Sequence, residues 1–410
     1  MGTISRLARL VLASRNWKKA LLGEHWIVPH SAPFCSSPAE PQHDTSKNVD
    51  EDKYQREIQD YVSSHWDDSV SRNDSLVQRL KRRLASGDRA ALAEAITLVE
   101  SRHPTKKAQA EYLLAELLTS AKRRYDQRGV GGLMFRVGIT GSPGVGKSSF
   151  IEVFGKYLIE AQQKKVAVLT VDPSSQTTGG SIMGDIARMP ELSRDPNAYL
   201  RSSATRGTLG GVAKGTNEAV LLCEGAGYDW ILLETVGVGQ SEGAVASVVD
   251  MVVVLISPTH GDELQGIKRG LMELADLVVV TKCDGDLAAS ARITQAEFVS
   301  AMKLMRPRWP GVWRPKVLRT SSKTKEGIDQ VFKAADDYRK ALATSGDFIK
   351  QRHTHMITWM WQHVEHEIMG LFKRHPHVLK RLPDVEEDIR QGRTTAGLAA
   401  ERLLRKFLGV

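Results

Sequence analysis

Residues 141–148 constrain the fold of this 410-residue chain more than any other segment. They read Gly-Ser-Pro-Gly-Val-Gly-Lys-Ser, which fits the pattern G-x-x-x-x-G-K-[ST] of a phosphate-binding loop. In this pattern the glycines let backbone N–H groups surround phosphate oxygens, the lysine supplies a positive charge, and the final hydroxyl can bind Mg²⁺. The predicted phosphate-binding residues are Gly141, Ser142, Pro143, Gly144, Val145, Gly146, Lys147, Ser148 and Ser149.

The sequence around this loop predicts a strand before it and a helix after it. A strand is predicted at residues 135–140, directly before the loop, and beyond the loop Phe150, Phe154, Leu158 and Ala161 recur at helical spacing. A phosphate at the start of that helix would lie where the helix dipole and free N–H groups favour an anion. The segment therefore predicts nucleoside triphosphate binding rather than a simple glycine-rich turn.

The central region has the sequence pattern of parallel βαβ units, because short apolar runs alternate with amphipathic stretches. Strands are predicted at residues 135–140, 166–171, 230–233, 251–256, 277–281 and 316–319. The predicted fold class is an α/β P-loop NTPase with a mostly parallel central sheet, flanked by N-terminal and C-terminal helical regions. The predicted segments are a leader (1–45), a helical region (50–128), the P-loop domain (129–325) and a C-terminal helical region (326–410).

The leader is basic and predicts a mitochondrial transit peptide, with the matrix as destination. Five basic residues precede the first acidic one, Glu24: Arg6, Arg9, Arg15, Lys18 and Lys19. A disordered basic tail is the alternative. Without these five residues the formal charge of +9 falls to +4, so no nucleic-acid partner is expected.

Two further classes are not expected. No apolar run reaches the length of a membrane span, so the mature protein is expected to be soluble. The three cysteines, Cys35, Cys223 and Cys283, are far apart and form no C-x-x-C pair. A disulfide framework or a zinc knuckle is therefore unsupported.

Acidic residues near strand ends are candidates for magnesium binding, because ligands of open α/β sheets bind beyond the carboxyl ends of strands. Glu234 and Asp172 close predicted strands, and Asp185 follows a polar, glycine-rich stretch. Such acids also cap helices, which is the alternative for Asp172. The predicted metal site is Ser148, Asp172, Asp185 and Glu234, and the predicted catalytic residues are Lys147 and Glu234.

A second loop is predicted to select the base. Lys282 and Asp284 follow the strand at 277–281. A carboxylate only accepts hydrogen bonds, so Asp284 would favour guanine, which offers paired donors, over adenine. Helix capping is the alternative for this residue. Ser321, Ser322 and Lys323 follow the next strand, where backbone donors could meet the guanine carbonyl.

With these motifs in place, the chain resembles the metal- and cobalamin-enzyme maturation GTPases. The resemblance rests on residues 141–149, on Val-Asp-Pro-Ser-Ser-Gln-Thr-Thr-Gly-Gly at 171–180 with its continuation to 189, and on Arg-Gly-Thr-Leu-Gly-Gly at 206–211. It also rests on Glu-Thr-Val-Gly-Val-Gly-Gln at 234–240 and Gly-Asp-Glu-Leu-Gln-Gly-Ile-Lys at 261–268. These motifs cover the central domain nearly end to end.

The resemblance implies a mitochondrial enzyme that hydrolyses GTP to GDP with Mg²⁺. It also implies a chaperone role toward adenosylcobalamin-dependent methylmalonyl-CoA mutase, gating cofactor loading and protecting or reactivating that enzyme. By position, Lys147 and Ser148 take the phosphate and magnesium roles, and Asp284 takes the guanine contact. Residues 258–268 would relay the nucleotide state, and residues 326–410 would form a homodimer.

The chain departs from the usual GTPase base motif Asn-Lys-x-Asp, because Thr281 replaces the asparagine. The amide that braces the base pocket is thus a hydroxyl here, and guanine preference is expected to survive in weaker form. Relatives that load nickel or zinc carry Cys or His clusters near the nucleotide site, and no such cluster is found there in this sequence.

Three rival functions stay open. A P-loop kinase needs an acceptor pocket and a lid, a metallochaperone needs clustered soft or imidazole ligands, and a scaffold would bind GTP without hydrolysing it.

The histidines of the C-terminal region are interleaved with charged residues and are interpreted as lying on solvated helix faces. They are His353, His355, His363, His366, His375 and His377.

Overall fold

The computed structural model describes residues 67–101, 103–172, 188–204, 209–235, 245–258 and 269–408. The strands are β1 (Phe135–Gly141), β2 (Val166–Asp172), β3 (Ala198–Ala204), β4 (Trp230–Thr235), β5 (Met251–Ile256), β6 (Leu277–Val280) and β7 (Lys316–Arg319). The helices are α1 (Ser75–Ala85), α2 (Arg89–Val99), α3 (Pro104–Arg128), α4 (Lys147–Glu160), α5 (Pro190–Arg194), α6 (Leu209–Gly225), α7 (Arg269–Leu274), α8 (Ala288–Leu304), α9 (Ile328–Ser345), α10 (Asp347–Arg374), α11 (Pro376–Arg390) and α12 (Ala396–Leu408).

The strands form one sheet in the order β3-β2-β4-β1-β5-β6-β7, and every pairing is parallel. Every residue of β1, β4, β5 and β6 is buried, as expected for a parallel sheet covered on both faces. The predicted α/β fold class is confirmed. Since β1 lies at the centre of the sheet, the loop that follows it emerges between the ends of β4 and β5.

Strand β3 was not among the predicted strands. Its sequence, Ala-Tyr-Leu-Arg-Ser-Ser-Ala, has no β-branched residue and ends in Arg-Ser-Ser-Ala. Among the described strands it lies at the edge of the sheet and pairs with β2 over residues 198–204. The strand is defined by its hydrogen-bonded pairing with β2, and its own residue pattern does not predict a strand.

The sheet has a hydrophobic core on each face. On one face Phe150 and Phe154 of α4 pack with Phe135 and with Tyr338 of α9. On the other face the core joins α6 and β4 to the N-terminal helices. Leu80, Leu84, Leu113 and Leu117 are all buried there, and they lie on α1 and α3, within the predicted N-terminal helical region.

Close packing holds α3 against α6. A Cβ atom added to Gly225 at the end of α6 would lie 2.7 Å from side-chain carbons of Leu117 on α3. Only glycine allows this approach without a shift of the leucine. The N-terminal helices are therefore part of the same compact unit as the sheet, which covers residues 66–368.

The second compact unit includes residues 369–410. In its described part Val378 and Val385 of α11 and Ala399 of α12 are buried. Phe372 and Phe407 make an edge-to-face contact with ring centroids 5.3 Å apart. Among the helices described, none is long and apolar enough to cross a membrane.

Four charged residues form a buried network at the amino-terminal edge of the sheet. Arg136 of β1 donates two hydrogen bonds to Glu224 of α6, at 2.8 and 3.0 Å. Arg352 of α10 donates to both carboxylate oxygens of Asp250, at 2.8 and 2.7 Å. Burial opposes the charge of both acids, but Arg136 and Arg352 outweigh it and hold the pKa of Glu224 and of Asp250 below the ordinary values.

A buried histidine on α10 predicts a pH dependence of stability. His355 is 7% exposed, and burial lowers its pKa from 6.5 to about 4. In the unfolded chain this imidazole therefore binds a proton near pH 6.5, whereas in the folded chain it binds one only near pH 4. The histidine therefore costs stability progressively as the pH falls through this window, by at most about 1.4 kcal/mol per pH unit.

We expect His355→Gln to flatten the decline in unfolding free energy between pH 6.5 and 4. Asp276 contributes the opposite slope, because burial raises its pKa to about 6, but it does so equally in both proteins. Urea unfolding at several pH values measures the difference, with the exposed His353→Gln on the same helix as control. Parallel profiles for wild type and His355→Gln would contradict the assignment.

Candidate nucleotide-binding site

The phosphate-binding loop connects β1 to α4 and depends on glycine at three positions. A Cβ atom on Gly141 would lie 2.5 Å from the carbonyl oxygen of Leu255 on the neighbouring strand. Gly144 and Gly146 have φ angles of 80° and 98°, which L-residues with side chains rarely adopt. Around Gly144 the space for a Cβ is open, so an anion can approach the backbone closely.

Lys147 is the first residue of α4 and folds back over the loop. Its Nζ donates to the carbonyl oxygens of Gly141 and Ser142, at 2.8 and 3.1 Å. The residue is only 9% exposed. The ammonium group is therefore held at the centre of the loop, within reach of an anion bound there.

Two of the predicted metal ligands lie together. The Ser148 hydroxyl donates to Oε1 of Glu234 at 2.9 Å, and Glu234 is 7% exposed at the end of β4. A hydroxyl beside a carboxylate supplies the hard oxygen ligands that Mg²⁺ requires, so these residues fit the ion. Asp172 ends β2, the strand next to β4.

Other predicted elements fall outside the described residues. These are Asp185, residues 236–240 of the motif that begins at Glu234, and residues 259–268 of the predicted switch. Their assignments stay predictions.

The two predicted base loops meet at the ends of the neighbouring strands β6 and β7. The Ser321 hydroxyl donates to Oδ1 of Asp284 at 2.7 Å. The same hydroxyl accepts hydrogen bonds from the backbone N–H groups of Lys323 and Thr324, at 3.2 and 3.1 Å. Ser321 thus orients the Asp284 carboxylate, a role that the sequence pattern did not indicate. The roles of Ser322 and Lys323 stay predictions.

Thr281 and Lys282 tie the base loop to the phosphate loop. The Thr281 hydroxyl lies 2.7 Å from the carbonyl oxygen of Val145 and 3.1 Å from that of Ile256. Lys282, with a φ angle of 55°, donates from Nζ to the carbonyl oxygen of Gly144 at 2.7 Å. The hydroxyl that replaces the usual asparagine amide therefore still braces the site.

This brace makes Thr281 a testable positioning residue. We expect Thr281→Val to weaken GDP binding about 5- to 30-fold, the equivalent of about 1–2 kcal/mol for a lost buried hydrogen bond. Thr281→Ser keeps the hydroxyl and should bind GDP much like the wild type. Fluorescence titration with a labelled GDP compares the three proteins. Equal affinity in the valine variant would show that the brace contributes nothing to binding.

Comparison with known proteins places this site in a family. The family model described as "Methylmalonyl Co-A mutase-associated GTPase MeaB" matches residues 92–377. The chain is 55% identical over 353 residues to a Caenorhabditis elegans protein named methylmalonic aciduria type A homolog, mitochondrial, covering 86% of this chain and 88% of that protein. The Mus musculus protein of the same name is 48% identical over 390 residues, with 93% of each chain covered.

A solved structure agrees with the sequence matches. The crystal structure of a protein described as LAO/AO transport system kinase has a TM-score of 0.62 and 34% identity to this chain. The match covers 81% of this chain and 98% of that one. With its phosphate loop, sheet order and relatives taken together, the chain is a P-loop GTPase that belongs to the methylmalonyl Co-A mutase-associated GTPase MeaB family.

Proposed function

We propose that this chain hydrolyses GTP to GDP and phosphate with Mg²⁺, and that it acts as a chaperone of adenosylcobalamin-dependent methylmalonyl-CoA mutase. In that role it gates loading of the cofactor and protects or reactivates the mutase. The observation that carries the enzymatic part is the joining of a phosphate loop to a carboxylate-bearing base loop through Thr281 and Lys282. The family and the names of its relatives support the partner.

The phosphate side of the site supplies charge and positioning. The Lys147 ammonium would bind the phosphate oxygens, and Ser148 and Glu234 would hold Mg²⁺, with Asp172 and Asp185 as further carboxylates near it. A bound Mg²⁺ would neutralise charge that develops on the phosphates during hydrolysis. Displacement of the Ser148–Glu234 hydrogen bond would free the hydroxyl oxygen and the carboxylate for this purpose.

The base side of the site supplies selectivity. Asp284 accepts a hydrogen bond from Ser321 through Oδ1, which fixes the carboxylate while leaving it able to accept more. Guanine presents donors at N1 and at its exocyclic amine, and adenine presents an acceptor at N1. The fixed carboxylate would thus bind guanine and repel adenine.

An Asp284→Asn substitution tests this selection. An amide offers one donor and one acceptor, which fits the N1–H and C2 carbonyl of xanthine instead of the paired donors of guanine. We expect GTP affinity to fall about 10- to 100-fold, since hydrogen bonds to a charged group are lost, while XTP affinity rises. Competition binding with GTP, XTP and ATP measures both changes. Unchanged GTP affinity would exclude Asp284 from base recognition.

The names of the mitochondrial relatives and the basic leader support import into mitochondria, with the matrix as the proposed site of action.

We also propose a homodimer that forms through the C-terminal region. Exposed apolar residues on α10 recur at i, i+3, i+4, i+7 and i+11, so they lie on one face of the helix. These residues are Ile357, Met360, Trp361, Val364 and Ile368. Sedimentation velocity decides between the dimer and a monomer.

The chaperone role is tested with the mutase itself. Methylmalonyl-CoA mutase that has lost activity during turnover would be incubated with adenosylcobalamin, this chain and GTP. We expect recovery of mutase activity with wild type and none with Lys147→Ala. Recovery that is the same without GTP would contradict a nucleotide-gated chaperone. Transfer of the γ-phosphate to an added acceptor instead of water would favour the kinase alternative.

A further inference from the structure

A cluster of metal-ligating side chains lies outside the nucleotide-binding site. Glu111 of α3, Glu218 of α6 and His363 of α10 each offer one ligand atom, and these atoms all lie within 4.8 Å of one another. The sequence interpretation placed His363 on a solvated helix face. The structure instead finds it partly buried beside two carboxylates from helices that are distant in the sequence.

Packing next to the cluster fixes the helices that carry it. Lys107 of α3 and Glu367 of α10 form an ion pair at 2.7 Å. Lys107 precedes Glu111 by four residues and Glu367 follows His363 by four, so each lies on the same helix face as its neighbour in the cluster. On the other side, the contact between Leu117 and Gly225 holds α3 against α6. The three ligands are therefore carried by helices that are already held together.

The donor set indicates the kind of ion. An imidazole nitrogen and two carboxylate oxygens suit Zn²⁺ and similar transition ions, whereas Mg²⁺ and Ca²⁺ favour all-oxygen sites. Zn²⁺ binds such atoms at about 2.0–2.2 Å, which separates tetrahedral ligands by about 3.4 Å. Side-chain adjustments that bring the ligand atoms closer by at most about 1.4 Å would reduce the present spacing of up to 4.8 Å to that value. One ligand, Glu218, is only 5% exposed, so its carboxylate is held largely out of water.

We propose that Glu111, Glu218 and His363 form a binding site for a divalent transition ion, with Zn²⁺ as the best fit. Three protein ligands leave a fourth position for water. The ion would join α6 to α3 and α10. Because α6 begins at Leu209, within the 206–211 motif, and carries Glu224 of the buried charge network near its other end, the ion would stabilise the helix that links these two regions.

Metal titration of the full chain tests this proposal. The protein would be treated with EDTA, freed of nucleotide and titrated with Co²⁺, whose visible absorption reports a four-coordinate site. We expect one equivalent to bind, Zn²⁺ to displace it, and saturating Zn²⁺ to raise Tm by about 2–4 °C. His363→Ala and Glu111→Gln should each weaken binding at least about tenfold. Because Glu111 is exposed, Glu111→Gln is expected to fold like the wild type.

Two controls separate this site from other metal binding. His353→Ala removes an exposed histidine from the same helix, and Ser148→Ala removes a proposed ligand at the nucleotide site; neither should change the Co²⁺ spectrum. Absence of a Co²⁺ band would overturn the proposal. So would a band of equal strength and affinity in both His363→Ala and Glu111→Gln, because the three side chains would then form only a hydrogen-bonded cluster.

Discussion

Replacement of Lys147 by alanine is expected to lower the rate of GTP hydrolysis by about 10²–10³-fold, the effect typical of removing one preorganised group that stabilises developing charge. The lysine Nζ lies within 3.1 Å of two loop carbonyl oxygens, so its charge is already positioned before nucleotide binds. Phosphate release under saturating GTP measures the rate.

The control for this change is Lys122→Ala, which removes an exposed lysine whose ion pair on α3 spans one helical turn. That variant should hydrolyse GTP at the wild-type rate. Thermal unfolding checks that Lys147→Ala is folded. A folded Lys147→Ala protein with wild-type hydrolysis would show that catalysis does not use the phosphate loop in the proposed way.

The largest effect on stability is expected from Arg352→Met. The substitution keeps most of the aliphatic stem but removes the guanidinium that pairs at 2.7 Å with Asp250, which is fully buried. Removing one partner of a buried ion pair typically costs about 3–5 kcal/mol, because the remaining charge is uncompensated. Urea unfolding followed by circular dichroism at neutral pH measures the loss.

Arg79→Ala provides the matched comparison. Arg79 pairs with Glu94 on the surface, with side chains 53% and 39% exposed, and such pairs contribute under about 1 kcal/mol. A loss in Arg352→Met no larger than that in Arg79→Ala would show that the buried network does not hold α10 to the sheet.

The sequence was sufficient for the elements whose signal is local. The phosphate loop has a fixed spacing, and β5, β6 and the first four residues of β4 are continuous apolar runs, because both faces of these strands are buried. The neighbouring ends of β6 and β7 follow from parallel pairing, so Asp284 and Ser321 were predicted to belong to one site. Strand β3 was missed because its sequence contains no β-branched residue; its pairing with β2 defines it.

Contacts between distant residues could not be predicted in the same way. From the sequence, the hydroxyl of Thr281 in place of the usual asparagine amide is expected to weaken the base pocket. Its hydrogen bond to the carbonyl oxygen of Val145 depends on the conformations of two loops, which the sequence does not reveal. Arg136 and Glu224 are likewise ordinary charged residues until the fold brings them together. His363 was assigned to a solvated face because helical spacing alone does not reveal Glu111 and Glu218 on two other helices.

Phosphate release from GTP and from ATP with Mg²⁺, each measured with and without methylmalonyl-CoA mutase, tests the central claim most directly. The site geometry and the family predict release that is selective for GTP and faster when the mutase is present. Release that favours ATP, or that is the same with and without the mutase, would contradict the proposed function while leaving the P-loop fold in place.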